Sequence, residues 1–77
     1  MKISRDVSAQ QLIKRLSKFG YIVTRQKGSH IRLSRISQEG THHITIPNHN
    51  PIKIGTLVSI INDICNQLSI TKEEFFK

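Results

Sequence analysis

One short segment, residues 27–32, combines residue types that could handle a phosphate group. Its imidazole, at His30, stands between the cations Lys27 and Arg32. Metal-free cleavage of RNA needs a base for the ribose 2′-hydroxyl proton, an acid for the leaving oxygen, and positive charge beside the phosphorane-like transition state. Histidine titrates in the range that suits either proton transfer. The alternative is that His30 belongs only to a solvated binding surface.

The other histidines, at positions 42, 43 and 49, do not predict a metal site. Adjacent strand residues point to opposite faces, which separates His42 from His43, and no cysteine or carboxylate stands nearby at ligand spacing. We therefore expect no metal and no other cofactor. His49 lies in a loop, where it either stabilises the loop through hydrogen bonds or helps to bind a substrate.

The composition favours a polyanion as the binding partner. Twelve Lys and Arg against five Asp and Glu give a net charge of +7 in 77 residues, and such a field attracts nucleic acid. The basic residues are spread over several elements and do not line one amphipathic helix, which argues against a membrane surface. The single cysteine, Cys65, excludes an intrachain disulfide and suits the reducing cytoplasm, where we expect the protein to act. The first eight residues lack the apolar segment of a secretion signal.

Capping signatures and apolar spacing mark the helices. Ser8 and Gln11 form a capping-box signature, so a first helix is predicted over residues 9–19. Thr71 and Glu74 repeat that signature and predict a short helical turn at the end of the chain. Between them lies a helix whose predicted buried stripe consists of Leu57, Ile60, Ile61, Ile64 and Leu68.

Three strands are predicted between the first two helices, over residues 21–26, 30–36 and 42–46. In the second and third strands apolar residues alternate with polar ones, so one face should be buried and the other open. The residues predicted on the open face include His30, Arg32, His43 and Thr45. The residues predicted in the core include Phe19, Tyr21, Val23, Ile31 and Leu33.

These elements predict a single α+β domain over residues 1–77. Its order is α-β-β-β-α, with a three-stranded antiparallel sheet and two helices packed on one of its faces. An antiparallel sheet tolerates one solvated face, so a ligand could dock on the other side.

Taken together, several motifs make the chain resemble a known family. They are Leu16, Phe19-Gly20-Tyr21, the run from Arg25 to His30, Ile46-Pro47 with His49, and Gly55-Thr56-Leu57. In this combination and register the chain resembles the HicA-type toxins of bacterial toxin-antitoxin pairs, also described as YcfA-like proteins. The resemblance covers most of the chain.

The resemblance implies a double-stranded-RNA-binding-like fold and a metal-independent endoribonuclease that cleaves mRNA. It also implies a cognate HicB-type antitoxin that binds the toxin and neutralises it, whereas DNA is not an expected partner of the isolated toxin. His30 matches the catalytic histidine of the family, and Gly28 and Ser29 match the two residues before it. From charge and position, the further candidates for substrate contact are Arg25, Lys27, Arg32 and His49.

The chain departs from the usual family pattern at His42 and His43, where many relatives carry basic residues, and at residues 48–51. The second acid or base beside His30 is open between His43, His49 and a lysine. Two other functions stay open at this point. One is a non-catalytic RNA-binding module of the same fold, and the other is a protein-interaction domain whose positive surface meets an acidic antitoxin.

Overall fold

The computed structural model describes residues 6–77, so the N-terminal segment in which no secretion signal was expected lies largely outside the described residues. The elements are α1 (Ala9–Ser17), β1 (Ile22–Lys27), β2 (His30–Ser37), β3 (Gly40–Pro47), α2 (Ile54–Leu68) and α3 (Lys72–Phe76). The predicted α+β class and the α-β-β-β-α order are confirmed. Among these residues no helix has both the length and the apolar character needed to cross a membrane.

The capping box at the start of α1 is formed as predicted. The Ser8 hydroxyl oxygen accepts from the Gln11 backbone N–H at 3.1 Å, and the Gln11 side chain accepts from the Ser8 N–H at 2.8 Å. The helix ends at Ser17, two residues before the predicted end. The reason is a tighter final turn, in which the Phe19 N–H donates to the carbonyl of Leu16, three residues back, at 2.9 Å.

The sheet has the order β1-β2-β3, so β1 and β3 are both edge strands. The antiparallel pairing of β2 with β3 is uninterrupted from one end of β2 to the other. The pairing of β1 with β2 contains one irregularity, a bulge between Val23 and Arg25. The strands start or end one or two residues away from the predicted bounds, and β3 starts at Gly40 because the hairpin pairing extends to the turn.

The core lies between the sheet and the two longer helices. The buried apolar residues of β2 and β3 are Ile31, Leu33, Ile44 and Ile46, and they cluster with Leu12 and Leu16 of α1 and Leu57, Ile61 and Ile64 of α2. Tyr21 is buried as predicted, and Phe19 is partly buried against the cluster. The prediction for Val23 is wrong: it is 49% exposed, because β1 is an edge strand and, within residues 6–77, no other strand pairs with its outer side.

The short helix α3 completes the core at the end of α1. Thr71 and Glu74 form its predicted capping box, with the Glu74 N–H donating to the Thr71 hydroxyl at 3.1 Å. Phe75 is fully buried, and its ring stacks on that of Phe19 with 5.3 Å between the centroids. The helices therefore cover one face of the sheet and leave the other open.

Candidate nucleic-acid interface

The turn between β1 and β2 fixes the position of His30. Lys27 and His30 are register partners, so Gly28 and Ser29 form a two-residue hairpin loop. Gly28 has a positive φ of 58°, a conformation that favours glycine at the first central position of such a turn. The Ser29 carbonyl accepts from the Asn48 N–H at 2.6 Å. The start of β2 is therefore held against the loop that follows β3.

The open face of the sheet carries three rows of residues that are paired across the strands. We call Lys27, His30 and Pro47 the proximal row, Arg25, Arg32 and Thr45 the middle row, and Ile22, Ser34 and His43 the distal row. Residues that lie directly opposite each other share a face, with their Cβ atoms about 5 Å apart. The sheet therefore brings together His30, Lys27, Arg25 and Arg32.

The predicted catalytic residue His30 and the three predicted contact residues of the first two rows, Lys27, Arg25 and Arg32, are exposed. Arg25 and Arg32 lie directly opposite each other, and like charges in that position repel. Within residues 6–77, no carboxylate forms an ion pair with Lys27, Arg25 or Arg32. The open face thus holds cations at close spacing without neutralising them, which is the arrangement expected of a surface that binds phosphates.

His49 lies in the loop that follows β3, two residues after Pro47 of the proximal row. Its carbonyl accepts from the Ala9 N–H at 3.0 Å, and its N–H donates to the Pro47 carbonyl at 2.8 Å. The side chain of Gln10 donates to the Asn48 side chain at 3.0 Å, which joins the loop to α1 a second time. The His49 side chain is exposed. The backbone of His49 is therefore structural, while its imidazole is accessible to a ligand.

The distal row holds a polar network that was not predicted. The Ser34 hydroxyl lies 2.6 Å from Nδ1 of His43 and 3.3 Å from the Thr24 hydroxyl, and Ser34 is only 4% exposed. The bulge in β1 brings Thr24 to this position. The only sequence signal was the alternation that placed Ser34 and His43 on the open face. Four residues along β2 separate this row from His30, a distance of about 13 Å, so His43 and His30 do not reach one phosphate together.

His42 lies on the opposite face of β3 from His43, as the alternation predicts. Its Nδ1 lies 2.6 Å from the Tyr21 hydroxyl, and its Nε2 lies 3.4 Å from the carboxylate of Asp63 in α2. Burial raises the pKa of Tyr21, the nearby Arg35 opposes that shift, and the charge of Asp63 adds to it. This contact could not be predicted from local patterns, because it joins three segments that are distant along the chain.

The residues of these rows lie in the part of the chain that matches a family model. Residues 9–65 match the model described as the HicA toxin of bacterial toxin-antitoxin systems. The chain belongs to the HicA toxin family. Comparisons with curated proteins and with solved structures gave no significant match.

The HicA match runs from the start of α1 into the last turns of α2. It therefore includes His30, the hairpin turn and the loop with His49, while α3 lies beyond it. Within residues 6–77 no three His, Cys, Asp or Glu side chains gather in a way that could hold a metal ion.

A second basic region of this HicA-family chain lies on α1. A shallow depression of about 250 Å³ is lined by Gln11, Lys14, Arg15 and Lys18. Lys14 and Lys18 are exposed, on the side of α1 opposite to its buried residues Leu12 and Leu16. Because those buried residues face the sheet, the basic side of α1 points away from the open sheet face.

Proposed function

We propose that this HicA-family toxin is a metal-independent endoribonuclease that cleaves mRNA in the cytoplasm, with His30 as its catalytic residue. The proposal rests on how the side chains of the proximal and middle rows are arranged. An exposed imidazole lies beside Lys27, and next to them are two further cations that have no carboxylate partner within residues 6–77. This arrangement supplies a proton-transfer group and positive charge at one place on the surface.

The reaction that fits these residues is an attack by the ribose 2′-oxygen on the adjacent phosphorus. A base takes the 2′-hydroxyl proton, the new bond from the 2′-oxygen to phosphorus forms, and the bond from phosphorus to the 5′-oxygen breaks. An acid then protonates the leaving 5′-oxygen, so the products carry a 2′,3′-cyclic phosphate and a 5′-hydroxyl. We assign one of these proton transfers to His30, and we assign charge stabilisation of the transition state to Lys27 and Arg32.

The remaining proton transfer is assigned by distance. His43 is fixed to Ser34 in the distal row, about 13 Å along the strand from His30, and is therefore not proposed. Lys27 is the cross-strand partner of His30, and His49 follows the loop residue that is bonded to the Ser29 carbonyl. We therefore propose that the side chain of either Lys27 or His49 carries out the second proton transfer. Gly28 and Ser29 shape the turn that presents His30 to the substrate.

The partner of this toxin is proposed to be a HicB-like antitoxin protein. The net charge of +7 favours an antitoxin surface with acidic residues, because complementary charge steers association and selects the partner. An antitoxin that covers the proximal and middle rows would exclude RNA from His30. The substrate and the antitoxin would then compete for the same cations.

The test uses purified protein and end-labelled RNA, with His30→Ala as the main variant. We expect wild-type protein to cleave the RNA equally well with and without EDTA, and His30→Ala to lose at least a hundredfold in cleavage rate while it keeps most of its RNA affinity. Lys27→Ala should slow cleavage, whereas Lys18→Ala, which removes an equal charge from the far side of α1, should not.

Full activity of His30→Ala would disprove the assignment of His30, and loss of wild-type activity in EDTA would disprove the metal-free mechanism. RNA binding by wild-type protein without any product would favour the non-catalytic RNA-binding module. In cells, expression of the wild-type chain should arrest growth, and His30→Ala should relieve that arrest.

A further inference from the structure

The end of the open sheet face farthest from His30 differs in composition from the rest of it. Ile22 and Ile36 are large apolar residues on this face, and they are 58% and 77% exposed. Ile22 lies across from Ser34, and Ile36 follows Ser34 by two residues on the same face of β2. We call Ile22, Ser34, Ile36 and His43 the distal patch.

Ser34 forms the floor of the distal patch. It is small and almost completely buried, while Ile22, Ile36 and His43 surround it with larger, more exposed side chains. A hydroxyl that is buried without a hydrogen bond is costly, and Ser34 avoids this cost through Thr24 and His43. The hydrogen bond to Ser34 therefore holds the imidazole of His43 at the edge of the patch.

The hydrogen bond to Ser34 leaves one ring nitrogen of His43 for a ligand. Nδ1 is bonded to the Ser34 hydroxyl at 2.6 Å, and Nε2 has no hydrogen-bond partner within residues 6–77. Nε2 is either a donor or an acceptor according to the tautomer. In both tautomers Nε2 is one oriented polar atom at the edge of the distal patch, which also holds the apolar side chains of Ile22 and Ile36.

A nucleobase has the chemistry that matches this patch. A base has flat faces that pack against apolar side chains and an edge that forms hydrogen bonds, and proteins that read unpaired RNA bases combine a contact on the face, most often with an aromatic ring, with hydrogen bonds to the edge. The middle row lies between His30 and the distal patch. An RNA strand whose phosphates contact Arg25 and Arg32 would therefore pass from the cleaved bond to the patch.

We propose that the distal patch is a base-binding subsite, in which Ile22 and Ile36 pack against an unpaired base of the RNA and His43 bonds to the edge of that base. The inference rests on the proposed function for its substrate, and it assigns the subsite a role in choosing where the RNA is cut. The recognised base lies away from the cleaved bond along the strand. Ser34 is a positioning residue, because it holds His43 without contacting the base.

The first test measures the affinity of short single-stranded RNAs by fluorescence anisotropy, with a 2′-deoxynucleotide at the cleavage position to prevent reaction. We expect His43→Ala and Ile36→Ser each to raise Kd about tenfold, and Ser34→Ala to raise it less. Gln38→Ala, in the exposed turn between β2 and β3, is the matched control and should bind like wild type. Circular dichroism of each variant verifies that it is folded.

The second readout separates base contacts from phosphate contacts. The slope of log Kd against log salt concentration reports the number of phosphates contacted. His43→Ala should leave that slope unchanged, whereas Arg32→Ala should reduce its magnitude by about one. A reduced slope for His43→Ala would mean that His43 contacts a phosphate and would overturn the proposal.

The third readout is the cleavage of RNAs that differ in one base at each position near the cut. Wild-type protein should prefer particular bases at one position, and His43→Ala should lose that preference through a higher KM, with kcat reduced less than KM is raised. Unchanged Kd and base preference in both His43→Ala and Ile36→Ser would overturn the subsite and leave the ribonuclease proposal standing. Weaker antitoxin binding by Ile36→Ser with normal RNA affinity would also overturn it, because the patch would then bind protein. If wild-type protein binds RNA but never cleaves it, the proposed function fails. The affinity measurements then still test whether the distal patch binds a base.

Discussion

The two faces of the sheet use neighbouring histidines in different ways. His42 faces the helices, is 15% exposed in its side chain and has a partner at each ring nitrogen, Tyr21 at 2.6 Å and Asp63 at 3.4 Å. His43 faces outward, and among residues 6–77 it has a hydrogen-bond partner at Nδ1 only. Strand alternation alone separates these two environments. The inner face therefore satisfies its polar groups within the protein, whereas the outer face leaves cations and one imidazole nitrogen available.

The largest expected effect concerns the stability supplied by the inner face. Leu33 is fully buried in the core cluster, so Leu33→Ala should lower the free energy of unfolding by about 2–5 kcal/mol. Thr45→Ala, on the exposed face of β3, should change it by less than about 0.5 kcal/mol. Urea unfolding followed by circular dichroism measures both values. Equal losses for the two variants would contradict the contrast between the faces.

A smaller effect on stability should appear when the pH is raised through the pKa of Tyr21, which contacts His42 on the inner face of the sheet. The pKa of Tyr21 lies above its usual 10.0, mainly because of burial. Since the pKa is higher in the folded state, this contribution to stability is complete below about pH 10 and is lost as the pH rises through the folded pKa. The urea midpoint should therefore fall above about pH 10. In Tyr21→Phe the hydroxyl that titrates is absent, so the alkaline decrease in the urea midpoint should be smaller. Near neutral pH this variant should be less stable than wild type by about 1 kcal/mol, because the hydrogen bond to His42 is lost.

The control for this titration is a Cys65→Ala background. Burial also raises the pKa of the Cys65 thiol, which gives an alkaline loss of the same sign, and the substitution removes it. If Tyr21→Phe in that background loses as much stability at high pH as its parent does, the Tyr21 network is not the source of the effect.

The smallest expected change in stability lies on the outer face. Arg25 and Arg32 face each other across the strands, so Arg32→Gln should relieve repulsion and raise the free energy of unfolding by a few tenths of a kcal/mol. The same variant should bind RNA more weakly, while Lys18→Gln should leave RNA binding nearly unchanged. Thermal unfolding and anisotropy measure the two effects. A destabilised Arg32→Gln would mean that the arginine contributes to the fold as well as to the surface.

Local patterns in the sequence were sufficient to predict the elements of this fold. The capping boxes at Ser8 and Thr71 have their predicted partners, and the alternation in β2 and β3 correctly separates Ile31 and Ile44 from the open face. The hairpin turn before His30 also forms where it was predicted. These features depend on residues that are close together along the chain.

The features that were missed depend on contacts between distant segments. The exposure of Val23 follows from the edge position of β1, which the residues of that strand do not encode by themselves. The bond between Tyr21 and His42, and the bulge that brings Thr24 to Ser34, depend on how the strands meet. The placement of the α1 lysines away from the open face likewise required the packing of α1 on the sheet. The role of His30 in catalysis stays a prediction until cleavage is measured.

The segment that matches the HicA family model is shorter than the segment that forms the folded domain. The family match ends at residue 65, inside α2, yet Phe75 in α3 is a fully buried member of the core and stacks on Phe19. At the other end, Ser8 lies just before the match and caps α1. A protein trimmed to the shared segment would lose a helix cap and an aromatic core residue, so the limits of homology are poor guides to where this domain can be cut.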